Sequence, residues 1–143
     1  MTLAEKLFSG TEVLQRTGIS IDHIEPNRIR LKMPLQGNIG GGGVMYAGSL
    51  FAPAEAAPGL LILNRFDPKR YAPTCAGVNI RFRRPAKTDV TLELTISDEQ
   101  FAAIEAELEA KGKTQVEFNL EIVDANGEVV SIAETKYAIF KLG

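Results

Sequence analysis

Gly40 to Leu63, GGGGVMYAGSLFAPAEAAPGLLIL, is the stretch that decides the fold. Four consecutive glycines open it. An apolar run follows, long enough for a helix of several turns, and Glu55 is the one charged side chain inside it. A carboxylate among Ala, Leu, Phe and Pro is costly to bury unless it is paired or hydrogen-bonded. Glu55 is therefore either a functional acid with a shifted pKa or a residue on an exposed stripe. The helix is expected to start near Tyr46 to Gly48 and to run to about Leu63. Pro53 and Pro58 each remove a helical hydrogen bond, so one kinked helix is expected.

The sequence around this stretch reads as a sheet with helices. Upstream, Arg28 to Met33 alternates Ile29, Leu31 and Met33 with Arg28, Arg30 and Lys32, which predicts a half-buried strand. Ile19 to Ile24 predicts a short strand before it, carrying His23, the only histidine. Residues 34–43 predict a loop, since six of the ten are glycine or proline. Downstream, Val78, Ile80 and Phe82 alternate with Asn79, Arg81 and Arg83. Val90 to Ile96 and Val116 to Ile122 repeat that period of two, as strands with one buried face do. Asp124-Ala125-Asn126-Gly127 predicts a hairpin turn. The last strand, about 128–140, changes phase, and a bulge near Ile132 to Glu134 would account for it.

Two capping boxes mark further helices. Thr2 to Glu5 opens a helix, or two short ones, over 2–17, ended by Gly18 and read as packing. Ser97 to Gln100 opens a helix with Phe101, Ile104 and Leu108 on one face and Gly112 at its end. The whole chain, 1–143, is expected to be one α+β domain: an antiparallel sheet on a long central helix, with an N-terminal helix and an extra helix between two strands.

Composition narrows the function classes. The net charge of −2 offers no footprint for nucleic acid. One histidine and one cysteine are too few for a typical zinc centre, so no metal is expected. The lone Cys75 allows no internal disulfide and suits a reducing, cytoplasmic setting. No basic-then-apolar leader and no membrane-length apolar run are present, so no membrane partner is expected. Gly43 to Ser49 nears a phosphate-binding loop but has Ser49 where the lysine belongs. Gly48-Ser49 also lacks the G-x-S-x-G elbow of a serine hydrolase.

The order glycine-rich loop, apolar helix with one acid, then antiparallel strands resembles the hotdog fold. It is closest to thioesterases of the phenylacetate-pathway type and to the uncharacterised hotdog families beside them. The helix-entry motif is matched by Asn38, the Gly40–Gly43 tract and Tyr46-Ala47-Gly48-Ser49-Leu50-Phe51-Ala52-Pro53-Ala54-Glu55. The strand ending F-x-R-P-A/V is matched by Val78 to Ala86. The likeness covers about residues 20–141.

That resemblance implies an acyl-CoA thioesterase. Glu55 matches the catalytic acid, as general base or nucleophile. Gly48 matches the glycine whose amide helps form an oxyanion hole, and Asn38 the loop asparagine near the reacting centre. Tyr46 and Ser49 fall at substrate-binding positions, although Tyr46 stands where histidine is usual. Arg83 and Arg84 match a landing place for the phosphates of coenzyme A, which enters as part of the substrate and not as a cofactor. The bland reading of that basic cluster is a solvated strand face. Glu55 lies about 10 Å beyond Gly48 along a straight helix. The resemblance resolves this gap by pairing two subunits, so a homodimer or a dimer of dimers is expected. Hotdog dehydratases commonly pair a histidine with an acid, and no histidine lies near this helix. The alternative is a non-catalytic hotdog protein that binds acyl-CoA or another acyl ligand, since fold does not fix function.

Overall fold

The computed structural model describes residues 2–143. In chain order the elements are α1 (Leu3–Gly10), α2 (Glu12–Thr17), β1 (Ser20–Glu25), β2 (Arg28–Met33) and α3 (Ala47–Arg65). Then come β3 (Tyr71–Phe82), β4 (Val90–Thr95), α4 (Asp98–Lys111), β5 (Lys113–Asp124) and β6 (Val129–Lys141). The six strands form one antiparallel sheet in the order β1-β2-β4-β5-β6-β3. α3 packs against β2 to β6, so the sheet wraps the central helix as a hotdog fold requires. No helix among the described residues is long and apolar enough to cross a membrane.

The alternating strands put their apolar side chains under α3. Ile29, Leu31 and Met33 of β2, Val90 and Leu92 of β4, and Leu120 and Ile122 of β5 are all buried. Each such side chain contributes about 1.5–3 kcal/mol relative to exposure. α4 begins with a complete capping box: Ser97 Oγ accepts from the Gln100 amide, and Gln100 Oε1 accepts from the Ser97 amide. Its stripe Phe101, Ile104 and Leu108 is buried, and Gly112 closes it at φ 78°. The N-terminal segment is two short helices, with Thr2 Oγ1 accepting from the Glu5 amide and Gly18 ending the second at φ 78°. Among the described hydrogen bonds Glu5 does not reach back, so that box is half formed. His23 lies in β1 beside the Glu25 carboxylate, 3.1 Å away.

Two strand details differ from expectation, and the expected hairpin turn is in place. β3 starts at Tyr71 and is an edge strand, with β6 on one side only. Its apolar face is only partly covered: Val78 and Ile80 pack half-buried on the core, and Phe82 is 50% exposed. The bulge in β6 falls earlier than Ile132 to Glu134. Ile122 pairs with Ser131 while Val123 pairs with Val129, so Val130 is the extra residue. The core-facing set is then Ser131, Ala133, Thr135, Tyr137 and Ile139. Two buried hydroxyl residues in that set masked its period. In the hairpin only Gly127 has positive φ (83°), and the Asp124 carboxylate accepts from the Asn126 and Glu128 amides. Asn-Gly here supplies a left-handed glycine after the turn, not two successive left-handed residues.

Candidate active site

The loop before α3 is held by its own polar groups. Asn38 is buried, and its side-chain amide donates to the carbonyls of Thr17 (2.7 Å) and Pro34 (2.8 Å). Its Oδ1 accepts from Ser49 Oγ at 2.8 Å, and its backbone carbonyl accepts from the Tyr46 amide. Asn38 and Ser49 thus staple the loop to the first turn of the helix, and neither has a donor left for a ligand. Within the glycine tract, the Gly40 amide donates to the Val44 carbonyl and Gly43 takes φ 79°.

The helix entry leaves donors unused. Tyr46 is the N-cap, and no side chain caps the helix. The Ser49 and Leu50 amides reach the Tyr46 carbonyl, but the Ala47 and Gly48 amides have no acceptor among the described residues. Unpaired amides at a helix N-terminus carry a positive partial charge and suit an anion. Gly48 is exposed, and the exposed Tyr46 ring lies across it, leaving no room for a Cβ. A cleft of about 210 Å³ adjoins this end, with Ala47 and Leu50 facing Phe82, Arg83 and Arg84. The Arg83 and Arg84 amides both donate to the Val130 carbonyl at the bulge. The Arg84 guanidinium lies 3.6 Å from Glu128, with both side chains largely exposed.

Two turns further on, Glu55 is half-buried in a second cleft of about 320 Å³. Leu7, Phe8, Leu60, Cys75 and Tyr137 surround it there. Its carboxylate has no hydrogen-bond or ion-pair partner among the described residues. Burial pushes its pKa up from the usual carboxylate value. Burial also raises Tyr137 and Cys75, and the nearby Glu55 charge adds to both. Glu55 and Gly48 are seven residues apart, two helical turns, and so share the face that α3 leaves uncovered.

The turn carrying Glu55 is fixed from the sheet. Pro58 has no N–H, so the Ala54 carbonyl loses its helical donor. The buried Thr135 hydroxyl donates to it instead at 3.0 Å. The Tyr137 hydroxyl donates to the adjacent Glu55 carbonyl. Tyr137 sits so close that a Cβ at Gly59 would come within 2.8 Å of its phenol oxygen. α3 runs from Ala47 to Arg65 with Pro53 and Pro58 inside it. The two prolines were legible in the sequence as a disturbance of the helix, but the pairing of Thr135 and Tyr137 with this turn was not. Hydroxyls spaced by two on the strand facing a proline-containing helix were the available signal. The N-terminal helices, expected as packing, also border the Glu55 cleft through Leu7, Phe8, Thr11 and Leu14.

Solved structures place this architecture among known proteins. A Pseudomonas aeruginosa protein of unknown function, described as a probable thioesterase, is 35% identical over 99% of each chain, with a TM-score of 0.92. A Chlorobaculum tepidum protein of unknown function is 20% identical over 97% of this chain and 93% of its own, with a TM-score of 0.82. A Staphylococcus aureus thioesterase is 22% identical over 91% of this chain and 99% of its own, with a TM-score of 0.73. At those lower identities the likeness is one of fold. No curated protein matches the chain. A family model described as a domain of unknown function, DUF4442, matches residues 14–139. The chain is a hotdog-fold protein and belongs to the DUF4442 family.

Proposed function

We propose that this protein is a thioesterase that hydrolyses acyl-CoA, with Glu55 as general base or nucleophile. One observation carries the reading. Glu55 is an unpartnered carboxyl of raised pKa in an otherwise uncharged cleft, on the same helix face as two unused backbone amides. As a base, Glu55 takes a proton from water, and the hydroxide adds to the thioester carbonyl carbon. As a nucleophile, its carboxylate adds directly, and water then hydrolyses the mixed anhydride. Either way the C–S bond breaks and the thiolate leaves, taking up a proton. The Ala47 and Gly48 amides hold the developing oxyanion.

Seven helical residues separate the acid from these donors by about 10 Å, too far for one carbonyl to reach both within one chain. The reading therefore takes the amides from a second copy. The β3 edge supports such pairing, since its Val78, Ile80 and Phe82 are half-buried or exposed and no strand lies on the side away from β6. Long apolar edges of this kind pair with another chain. A homodimer, or a dimer of two such dimers, is the working unit. Arg83 and Arg84, beside the helix entry, receive the coenzyme A phosphates, and no cofactor beyond that part of the substrate is invoked. The lone Cys75 suits a reducing cytoplasm.

Tyr46 favours a second reading. Its ring crosses Gly48, where an open approach to the amide would serve catalysis. A protein that binds acyl-CoA without cleaving it fits that feature. Thiol release from a panel of short, aromatic and long acyl-CoAs, with Glu55→Gln beside the wild type, separates the two. Turnover that Glu55→Gln removes supports the enzyme. Binding without turnover in the wild type supports the carrier. Arg83→Ala/Arg84→Ala is expected to raise KM for acyl-CoA and leave a thioester lacking the nucleotide unaffected. Equal losses on both substrates contradict a phosphate role.

A further inference from the structure

The cleft at Glu55 continues away from the helix entry. It follows α3 through Gly59 to Leu63, about 12 Å along the axis. The inner side is Leu60 and Leu63 of α3, with Pro73 of β3 beside them. The outer side is built by the N-terminal helices, through Leu7, Phe8 and Leu14. Leu7 is 45% exposed there, although α1 has a core side on which Ala4 is fully buried. No lysine, arginine or histidine lines this cleft. Its few polar groups other than Glu55 are already engaged. Thr11 Oγ1 donates to the Leu7 carbonyl at 2.8 Å, Tyr137 to the Glu55 carbonyl, and the Cys75 thiol to the Gly77 carbonyl at 3.9 Å. An occupant therefore meets hydrocarbon everywhere except at one carboxyl. The cleft at the helix entry differs, because Arg83 and Arg84 line it.

We propose that the Glu55 cleft seats the apolar acyl chain of the substrate, with α1 and α2 as its outer wall and Leu7 setting the chain length accepted. The chemistry at Glu55 rests on the thioesterase reading; the seat for the chain does not. The carbonyl end lies at Glu55, and the chain runs toward Leu63. The phosphates stay in the basic cleft, where guanidinium groups are available. Each methylene added to the acyl group tightens binding about fourfold until the cleft is full.

The test measures binding of S-alkyl thioethers of coenzyme A, from ethyl to dodecyl, which cannot be hydrolysed, beside turnover of the matching thioesters. Leu7→Trp fills the cleft, Leu7→Ala enlarges it, and Val13→Trp alters an exposed residue of α2 outside it. The expected result is a cut-off moved to shorter chains by Leu7→Trp, to longer ones by Leu7→Ala, and left in place by Val13→Trp. A long-to-short affinity ratio reduced at least tenfold in Leu7→Trp is the signature. A chain-length profile that both Leu7 variants leave unchanged overturns the proposal, as does absence of binding at every length. Chain-length-dependent binding that the Leu7 variants shift, without turnover, sustains the acyl seat and removes the thioesterase reading. Turnover with an unshifted profile does the reverse.

Discussion

Two turns of the same helix are finished in opposite ways. At the entry, the Ser49 side chain is engaged and two backbone amides are free. Asn38 and Ser49 satisfy each other, while the Ala47 and Gly48 amides have no acceptor among the described residues. At the turn from Glu55 to Gly59 the backbone is engaged and the side chain is free. Thr135 and Tyr137 hold the Ala54 and Glu55 carbonyls, and the Glu55 carboxyl has no partner. The free amides are exposed at the helix start and the unpartnered carboxyl is half-buried in a cleft, so a ligand can reach both. One turn leaves donors for a negative charge and the other leaves a base. Acyl transfer needs both, and the helix holds them apart.

The largest effect expected is on the side-chain half. Glu55→Gln should lower thioesterase kcat by roughly 10²–10⁴-fold, the usual scale for a positioned base. A smaller loss would place the chemistry elsewhere. On the backbone half, Gly48→Pro removes the amide at a first-turn position that tolerates proline. It should cost roughly 10²–10³ in kcat, as loss of one oxyanion donor does. Unchanged kcat in Gly48→Pro would leave Gly48 as packing under Tyr46. The exposed Tyr46 ring must swing aside in that variant, so circular dichroism should accompany the kinetics.

The engaged carbonyls give a subtler contrast. Thr135→Val leaves the Ala54 carbonyl without a donor in the core, a cost of about 1–3 kcal/mol in denaturant unfolding. Tyr71→Phe, whose hydroxyl bonds the exposed Glu109 at the far end of β3, should cost less. Equal costs would mean that the proline break needs no partner from the sheet.

The smallest effect concerns pH. Burial raises the folded-state pKa of Glu55, so the folded chain holds this proton more tightly than the unfolded chain. The resulting stability is full below the ordinary value of 4.5 and is lost as pH rises through the raised one. Glu55→Gln should therefore be at least as stable as the wild type at neutral pH, with any advantage shrinking as pH falls through the raised value and gone below 4.5. The acidic limb of kcat/KM in the wild type should likewise lie above that value. A limb below it would contradict a buried base.

Much of the fold was legible because one face of most strands is covered. Ile29, Leu31 and Met33, and likewise Leu120 and Ile122, alternate because α3 lies over them. β3 misled because alternation in sequence does not reveal that a strand is an edge. β6 misled because Ser131 and Thr135 are polar yet fully buried, Thr135 serving a carbonyl that Pro58 releases. At the site, Glu55 was legible as a charge in an apolar run. The engagement of Asn38 and Ser49 was not, since a hydrogen bond between residues eleven apart leaves no periodic trace. The second cleft was hidden for a different reason. It joins helices at the N-terminus to β6 near the C-terminus, a proximity only folding creates.

Subunit complementation tests most directly whether the two turns act together across copies. Glu55→Gln and Gly48→Pro are purified separately, then unfolded and refolded together so that dimers mix. If each site takes its acid from one copy and its amide from the other, a mixed dimer holds one intact site. Random mixing should then restore about a quarter of wild-type turnover from two nearly inactive parents. No recovery, with mixed dimers verified by mass, would contradict a site shared between two copies.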